Sequence, residues 1–305
     1  MKPWILTFAM ISLAGMACAA PDELDDAFAQ LKEVSGKNDA DGVKKWATES
    51  SKLARAEVAK GKPADTSAED WTKRVEYAKG VDTFSEYALA TAASQPATAP
   101  AKTVELVDAL LVMNPKSTYL GQCTAAYLAA LGKTGGDKIA GATKVVAGDP
   151  NNEEALYALA EGLMGKSPDR AFTYATRLVN AMKAKAKPEG VSEADWQTKK
   201  SAFLGRGYYF AGVTGCTRQI WKDCDTNLKA AVPYISKEPA LAGPAYFYLG
   251  LANYQLGKIS TDRTKIQEGL KYSQQSAAIP GTMQAAAQGN VTAMTNELKA
   301  PVNRR

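Results

Sequence analysis

The chain has 305 residues, 46% hydrophobic and 23% charged, a globular composition that excludes a disordered or collagen-like polypeptide. Its 37 basic and 32 acidic residues leave a net charge of +5 with no long basic block, so charge gives no reason to expect a nucleic-acid partner. There is no histidine, which removes Ser-His-Asp and Cys-His catalysis, His-Glu-x-x-His zinc sites and the commonest general base.

Residues 1–20 read as a secretory signal peptide. Lys2 precedes an apolar run from Trp4 to about Ala14, and Ala17-Cys18-Ala19 fits the small-residue cleavage pattern. The run is too short for a bilayer anchor, and no later stretch is long and apolar enough, so no transmembrane anchor is expected. The mature chain is expected to begin near Ala20 or Pro21 and to be exported, periplasmic or extracellular. A lipoprotein acylated at Cys18 is the rival reading, but Gly15 stands where such signals usually carry leucine.

From the acidic start Asp22, Glu23, Asp25 and Asp26, which suits a helix N-terminus, helical periodicity recurs along the chain. Gly, Pro or Asn interrupts it every 12 to 20 residues, and neither sustained apolar–polar alternation nor an Asn-Gly hairpin turn occurs. The pattern predicts helices over 23–34, 39–60, 67–94, 100–113, 117–131, 136–147, 152–164, 168–185, 193–212, 223–235, 241–256, 263–278 and 282–298, and no strands. "SQPATAPAKT" (94–103) and "GKISTDRTK" (257–265) read as expanded turns. The last helix carries Asn290, Thr292, Asn296 and Lys299 and reads as a polar cap. "GKTGG" (132–136) lacks the first glycine of a phosphate loop, since Tyr127 stands there, and "GRGYYF" (205–210) lacks the third glycine of a dinucleotide site. No cofactor and no metal site is expected.

An internal repeat decides the fold class. Pro115 in "MNPKS" and Pro150 in "GDPNNEE", 35 positions apart, each close an apolar helical stretch, and Asn151 or Asn152 can cap the helix that follows. One spacing then recurs: Tyr246, Leu249, Gly250 and Asn253; Leu204, Gly205 and Tyr208, with Ser201 in the first place; Leu156, Leu159, Ala160 and Leu163; Leu120, Cys123, Thr124 and Tyr127; and, more weakly, Phe84, Tyr87, Ala88 and Thr91. A small residue recurs where two helices cross closely.

This spacing and punctuation resemble the tetratricopeptide repeat (TPR), a helix–turn–helix unit of about 34 residues. The resemblance covers about residues 80 to 280. It implies an all-α solenoid, a right-handed superhelix of antiparallel helix pairs, organised as signal peptide (1–20), N-terminal helical region (21–80), repeat array (81–280) and capping helix with tail (281–305). It also implies that Tyr246, Leu249 and Gly250 pack within their pair. The second stripe of that helix, Phe247, Leu251 and Tyr254, would then line the concave groove, with the inter-repeat core as its competing location.

The function implied is a non-catalytic exported scaffold that binds a protein or peptide in the groove. The candidate groove residues are Tyr157, Glu161, Arg206, Tyr209, Phe210, Phe247, Leu251 and Tyr254, with aromatic and arginine side chains as anchors. Two other readings stand beside it: a structural part of a cell-envelope assembly, and a helical-array enzyme or small-ligand carrier, which would need a closed pocket with convergent polar groups.

Of the four cysteines, Cys18 leaves with the leader, and Cys123 sits in an apolar helical pattern as a small buried hydrophobe. Cys216 and Cys224 bracket "GCTRQIWKDCD" and are expected to form a disulfide closing a long turn between the helices of one pair, with Trp221 folded back on them. No Cys-x-x-Cys motif points to redox or zinc chemistry.

Overall fold

The computed structural model describes residues 22–300; residues 1–20, expected to be a signal peptide, with Cys18, and the terminal Arg304 and Arg305, lie outside them. The described residues form thirteen helices and no strand: α1 (Glu23–Ser35), α2 (Ala40–Lys60), α3 (Ala68–Ser94), α4 (Pro100–Met113), α5 (Leu120–Thr134), α6 (Lys138–Gly148), α7 (Glu153–Leu163), α8 (Pro168–Ala184), α9 (Glu193–Thr217), α10 (Trp221–Ile235), α11 (Pro239–Ser260), α12 (Arg263–Ala277) and α13 (Gln284–Lys299).

The helix starts follow the chemistry of their first residues. Asp22, Asp39, Ser67, Asp137, Asn152, Ser192 and Asp262 each cap the next helix by accepting a backbone N–H. Asn152 does more: its Oδ1 accepts from Ala155 N (3.1 Å), and its Nδ2 donates to the buried Thr124 Oγ1 on α5 (3.2 Å). "GKTGG" is a helix end: Gly135 adopts a left-handed φ of 74°, and Gly136 N donates to Leu131 O (2.8 Å).

Every helix touches the next one in the chain. Every odd-numbered helix also touches the next odd one, from α1 to α13, whereas among the even-numbered helices only α2 and α4 meet to a comparable extent. Consecutive helices joined by short turns run antiparallel, so the chain stacks as helix pairs with a tight row of odd helices and a splayed row of even ones. The five copies of the repeated spacing fall on α3, α5, α7, α9 and α11, one on each successive odd helix. Leu120, Leu156, Leu159 and Leu249 within them are fully buried. One apolar cluster runs from Leu31 to Leu204, a second from Ala160 to Ala252, and a small third joins α1, α2 and α3 around Leu24 and Val81.

Two expected turns are shorter than the sequence implied. α11 runs to Ser260, so "GKISTDRTK" reduces to a turn at Thr261 and Asp262. Gly257 did not end the helix because α12 packs over it: a Cβ there would lie 2.9 Å from Asp262 O and 3.0 Å from Ile266 N. "GCTRQIWKDCD" likewise contains only a three-residue turn, Arg218 to Ile220, because α9 continues to Thr217 and α10 begins at Trp221. Trp221 is half-buried against the second cluster.

The tightest crossing joins α11 to α12. A Cβ on Gly250 would lie 3.1 Å from Gly269 O and 3.2 Å from Ser273 N, and one on Gly269 would lie 2.8 Å from Gly250 O. Gly250→Leu is therefore expected to push the two helices apart and destabilise the chain by about 1–3 kcal/mol, read as a lowered denaturant midpoint. An unchanged midpoint would show that the crossing tolerates a side chain.

Glu153 opens α7 and is buried beneath two lysines: Lys185 Nζ donates to Oε2 (2.6 Å), and Lys199 Nζ lies 2.9 Å from Oε1. Burial alone would raise its pKa, but the hydrogen bonds from Lys185 and Lys199 hold it below the ordinary 4.5. The unfolded chain thus binds the proton more readily. The stabilisation from this clamp is complete above the unfolded pKa and is lost as the pH falls through the lower folded value. Glu153→Gln is expected to cost about 1.5–3 kcal/mol at neutral pH and to flatten stability against pH below 4.5, measured by urea denaturation across the acid range.

Candidate binding surface

The row of odd helices carries half-buried aromatic side chains at its joints. Between α1 and α3, the Phe28 ring lies edge-on to Phe84 (centroids 5.4 Å apart) and to Tyr77 (6.1 Å). From α3 to the start of α5, Tyr87 meets Tyr119 at 5.6 Å. From α7 to α9, Tyr157 meets Phe203 at 6.0 Å and Phe210 at 5.5 Å. Phe28, Phe84, Tyr87, Tyr119, Tyr157 and Phe203 are all half-buried, so each ring both seals a joint and presents an edge or face to solvent.

The eight residues singled out from the sequence take different places on this framework. Tyr157 and Glu161 share one face of α7, where the Tyr157 hydroxyl donates to Glu161 Oε1 (2.8 Å) and Glu161 is exposed. Burial, with the Glu161 carboxylate second, pushes the Tyr157 phenol up to about 12, so it stays a neutral donor. Arg206, on α9, is half-buried and donates from Nη2 to Glu238 Oε2 (3.1 Å). Tyr209 and Phe210, on the same helix, are buried in the second cluster at 8% and 4% exposure.

On α11, Phe247 and Leu251 are half-buried, and Phe247 packs edge-on to Tyr248 at 5.3 Å. Tyr254 turns to the last helix: its hydroxyl donates to Glu297 Oε2 (2.6 Å), and Lys258 Nζ donates to Glu297 Oε1 (2.8 Å). The hydrogen bond to Glu297 raises the Tyr254 phenol, and the hydrogen bonds from Lys258 and then Tyr254 lower the Glu297 carboxyl. Tyr157, Glu161, Arg206, Phe247 and Leu251 thus present surface on three successive odd helices, while Tyr209 and Phe210 pack inside and Tyr254 seals the joint to α13.

The sequence reading left out the aromatics nearer the N-terminus. Phe28, Tyr77, Phe84, Tyr87 and Tyr119 form a chain of touching rings over α1, α3 and the start of α5. The signal was present in the weak fifth copy, which contains Phe84 and Tyr87. The partner of Phe84 lies in residues 21–80, where the repeat pattern is too faint to align.

Asn253 stands at the place that Tyr127 and Tyr208 hold in two other copies of the spacing. It is fully buried, donates to Asp225 Oδ1 on α10 (2.7 Å) and accepts from Lys265 Nζ on α12 (3.3 Å). Lys229 and Glu268 complete the network at 2.7 Å. A buried polar group costs little when both its donor and its acceptor find partners, as here.

Cys216 and Cys224 form a disulfide, with α-carbons 5.0 Å apart, within the usual range. The bond joins the last turn of α9 to the first turn of α10 and lies among buried residues. Gly215 makes room for it, since a Cβ there would lie 2.9 Å from Cys224 N. Cys123 is fully buried, and burial pushes its thiol up to about 12. Among the described residues no helix is long and apolar enough to cross a membrane. No family model, curated protein or solved structure matches the chain.

In protein produced from residue 21 onward, alkylation of the denatured, non-reduced chain is expected to label one thiol, Cys123, and three after reduction. Two or three labels without reductant would show the bridge to be absent. Cys216→Ser with Cys224→Ser is expected to lower stability by about 2–3 kcal/mol, the loop-closure value for so short a loop.

Proposed function

We propose that the chain is a non-catalytic scaffold of the tetratricopeptide-repeat type, which docks a protein or peptide segment on the surface formed by its odd-numbered helices after export. The observation that carries the reading is the set of half-buried aromatics at the joints of α1 with α3, α3 with α5 and α7 with α9. A ring wedged between two helices has already lost its rotameric freedom, so a partner that covers its exposed side gains apolar contact at little entropic cost. Tyr157 and Arg206 are of the residue types that dominate binding energies at interfaces, and phenylalanine, as at Phe247, is enriched there. The placement of the five spacing copies on five successive odd helices supports the repeat type. The leader sequence and a disulfide of the kind that persists in oxidising compartments support export.

Peptides selected from a displayed library against the whole protein provide the test. Tyr157→Ala and Phe247→Ala are expected to weaken the selected peptides about tenfold or more each, a loss near 1.4 kcal/mol. Because these rings are only half-buried, the melting temperature should fall less than for a core aromatic, whose loss costs about 3–5 kcal/mol. Val112→Ser, at an 86% exposed site on α4, should leave binding unchanged. Undiminished binding by both alanine variants, or a loss at Val112 instead, would move the docking surface elsewhere. Export is tested by N-terminal sequencing of the native protein, expected to start near Ala20 or Pro21; an intact Met1 would contradict it.

A further inference from the structure

At the first helix pair the lengths do not match. α1 and α3 each run antiparallel to α2 and so run parallel to one another. α1 ends at Ser35, while α3 continues to Ser94. The chain turns at Asn38, in a left-handed conformation with φ 55°, and returns in α2. Elsewhere in the array the space beside an odd helix is taken by the pair before it. Beside α3 the preceding pair is α1 and α2, and because α1 stops short the space past its end stays open as a pocket of about 150 Å³.

The pocket has an apolar floor and a polar mouth. Val43 and Ala88 are buried at its base, Phe84 and Ala92 form half-buried walls, and the exposed Asn38 and Gln95 stand at the rim. No carboxylate, ammonium or guanidinium group lines it, so a charged ligand would lose its hydration without a counter-charge. A void of this volume with apolar walls takes a molecule about the size of benzene. The hydroxyls of Ser35 and Thr98 are engaged as donors to Leu31 O and Ala92 O (2.7 Å each), which leaves their lone pairs as acceptors. The side-chain amides of Asn38 and Gln95 make no hydrogen bond to other described residues, and each offers both a donor and an acceptor.

We infer that this pocket binds a small uncharged molecule with a ring-sized apolar body and one neutral hydrogen-bonding group, such as a phenol or a cyclic alcohol. Phe84 and Tyr87 line this pocket and also stand in the aromatic row of the proposed docking surface, but the pocket does not depend on Tyr157, Arg206 or Phe247 and stands whether or not those residues bind a peptide.

Phenol and cyclohexanol titrated into the isotope-labelled protein are the probes, followed by amide chemical shifts. Saturable shifts at Ala88, Ala92 and Gln95 are expected, with dissociation constants of about a millimolar or below, as suits ligands of seven heavy atoms. Benzoate and benzylammonium, of similar size but charged, should bind at least about tenfold more weakly. Ala92→Leu places a branched side chain in the cavity and should weaken phenol at least about tenfold. Gln95→Ala, at an exposed position that does not threaten folding, should weaken phenol several-fold by removing a hydrogen bond at the rim. Loss of affinity in either folded variant supports the site. The proposal is overturned by the absence of saturable shifts, by equal affinity for benzoate, or by undiminished phenol binding in both variants.

Discussion

Two helices can cross closely only where one of them gives up a side chain, and the rest of this structure follows from that steric fact. On α11 the missing side chain is at Gly250, facing Gly269 across the crossing. With the backbones that near, Leu249 is driven fully into the core, and Asn253, one turn on, is brought against Asp225 and Lys265. The stripe Leu249, Gly250 and Asn253 is thereby committed to the pair. Phe247, Leu251 and Tyr254, about 100° round the helix, are left to face neighbouring helices or solvent. Pair geometry thus assigns the residues that remain available for a partner, before any partner is considered.

The same constraint applied helix after helix separates the two rows. Gly205 keeps α9 close to Tyr234 and Ile235 of α10, and Gly250 keeps α11 close to Gly269 and Ser273 of α12. The odd helices then also touch one another, and beyond α4 the even ones do not to a comparable extent. Large rings fill the joints of α1 with α3, α3 with α5 and α7 with α9, where an aromatic spans the gap between neighbouring helices without a flexible stem. Polar links hold the two ends of the array. Arg74 on α3 binds Asp22, Asp25 and Glu57, tying the start of α1 to the second and third helices. Glu297 binds Tyr254 and Lys258, tying α13 to α11. A stack whose units contact only their neighbours is weakest at its ends, where one neighbour is missing, and these links stand at those ends.

Much of the helix order was legible because capping residues and punctuating glycines and prolines act locally. Asn152, Ser192 and Asp262 announce their helices whatever the rest of the chain does. The reading went astray where a glycine had a tertiary reason. Gly257 and Gly215 look like helix breakers in one dimension, yet both lie inside helices because another helix approaches them. The surface was legible in part. On α11 one stripe is clearly committed to the pair, and the other can be read off by subtraction. On α9 the run from Phe210 to Cys216 is buried on every side, so no amphipathic contrast tells which of Arg206, Tyr209 and Phe210 faces outward. The pocket past the end of α1 has no local signature, because it arises from the difference in length between two helices that are not adjacent in the chain.

That uniformly buried stretch of α9 also explains where the Cys216–Cys224 disulfide stands. The first large cluster ends at Leu204 and the second begins at Ala160, so α7 and α9 are where the two cores meet, and Tyr157, Tyr174 and Tyr208 pack against both. An array with nearest-neighbour contacts transmits order only through each successive interface. A loose α9–α10 pair would therefore uncouple the four C-terminal helices from the rest. Glycine inside a helix costs about 1 kcal/mol relative to alanine, and Gly212 and Gly215 accept that cost so that α10 can lie close to α9. The Cys216–Cys224 bond closes only a short loop, so its effect on chain entropy is modest. Its position matters more than its size: it fixes the corner of the pair on which the second core is built.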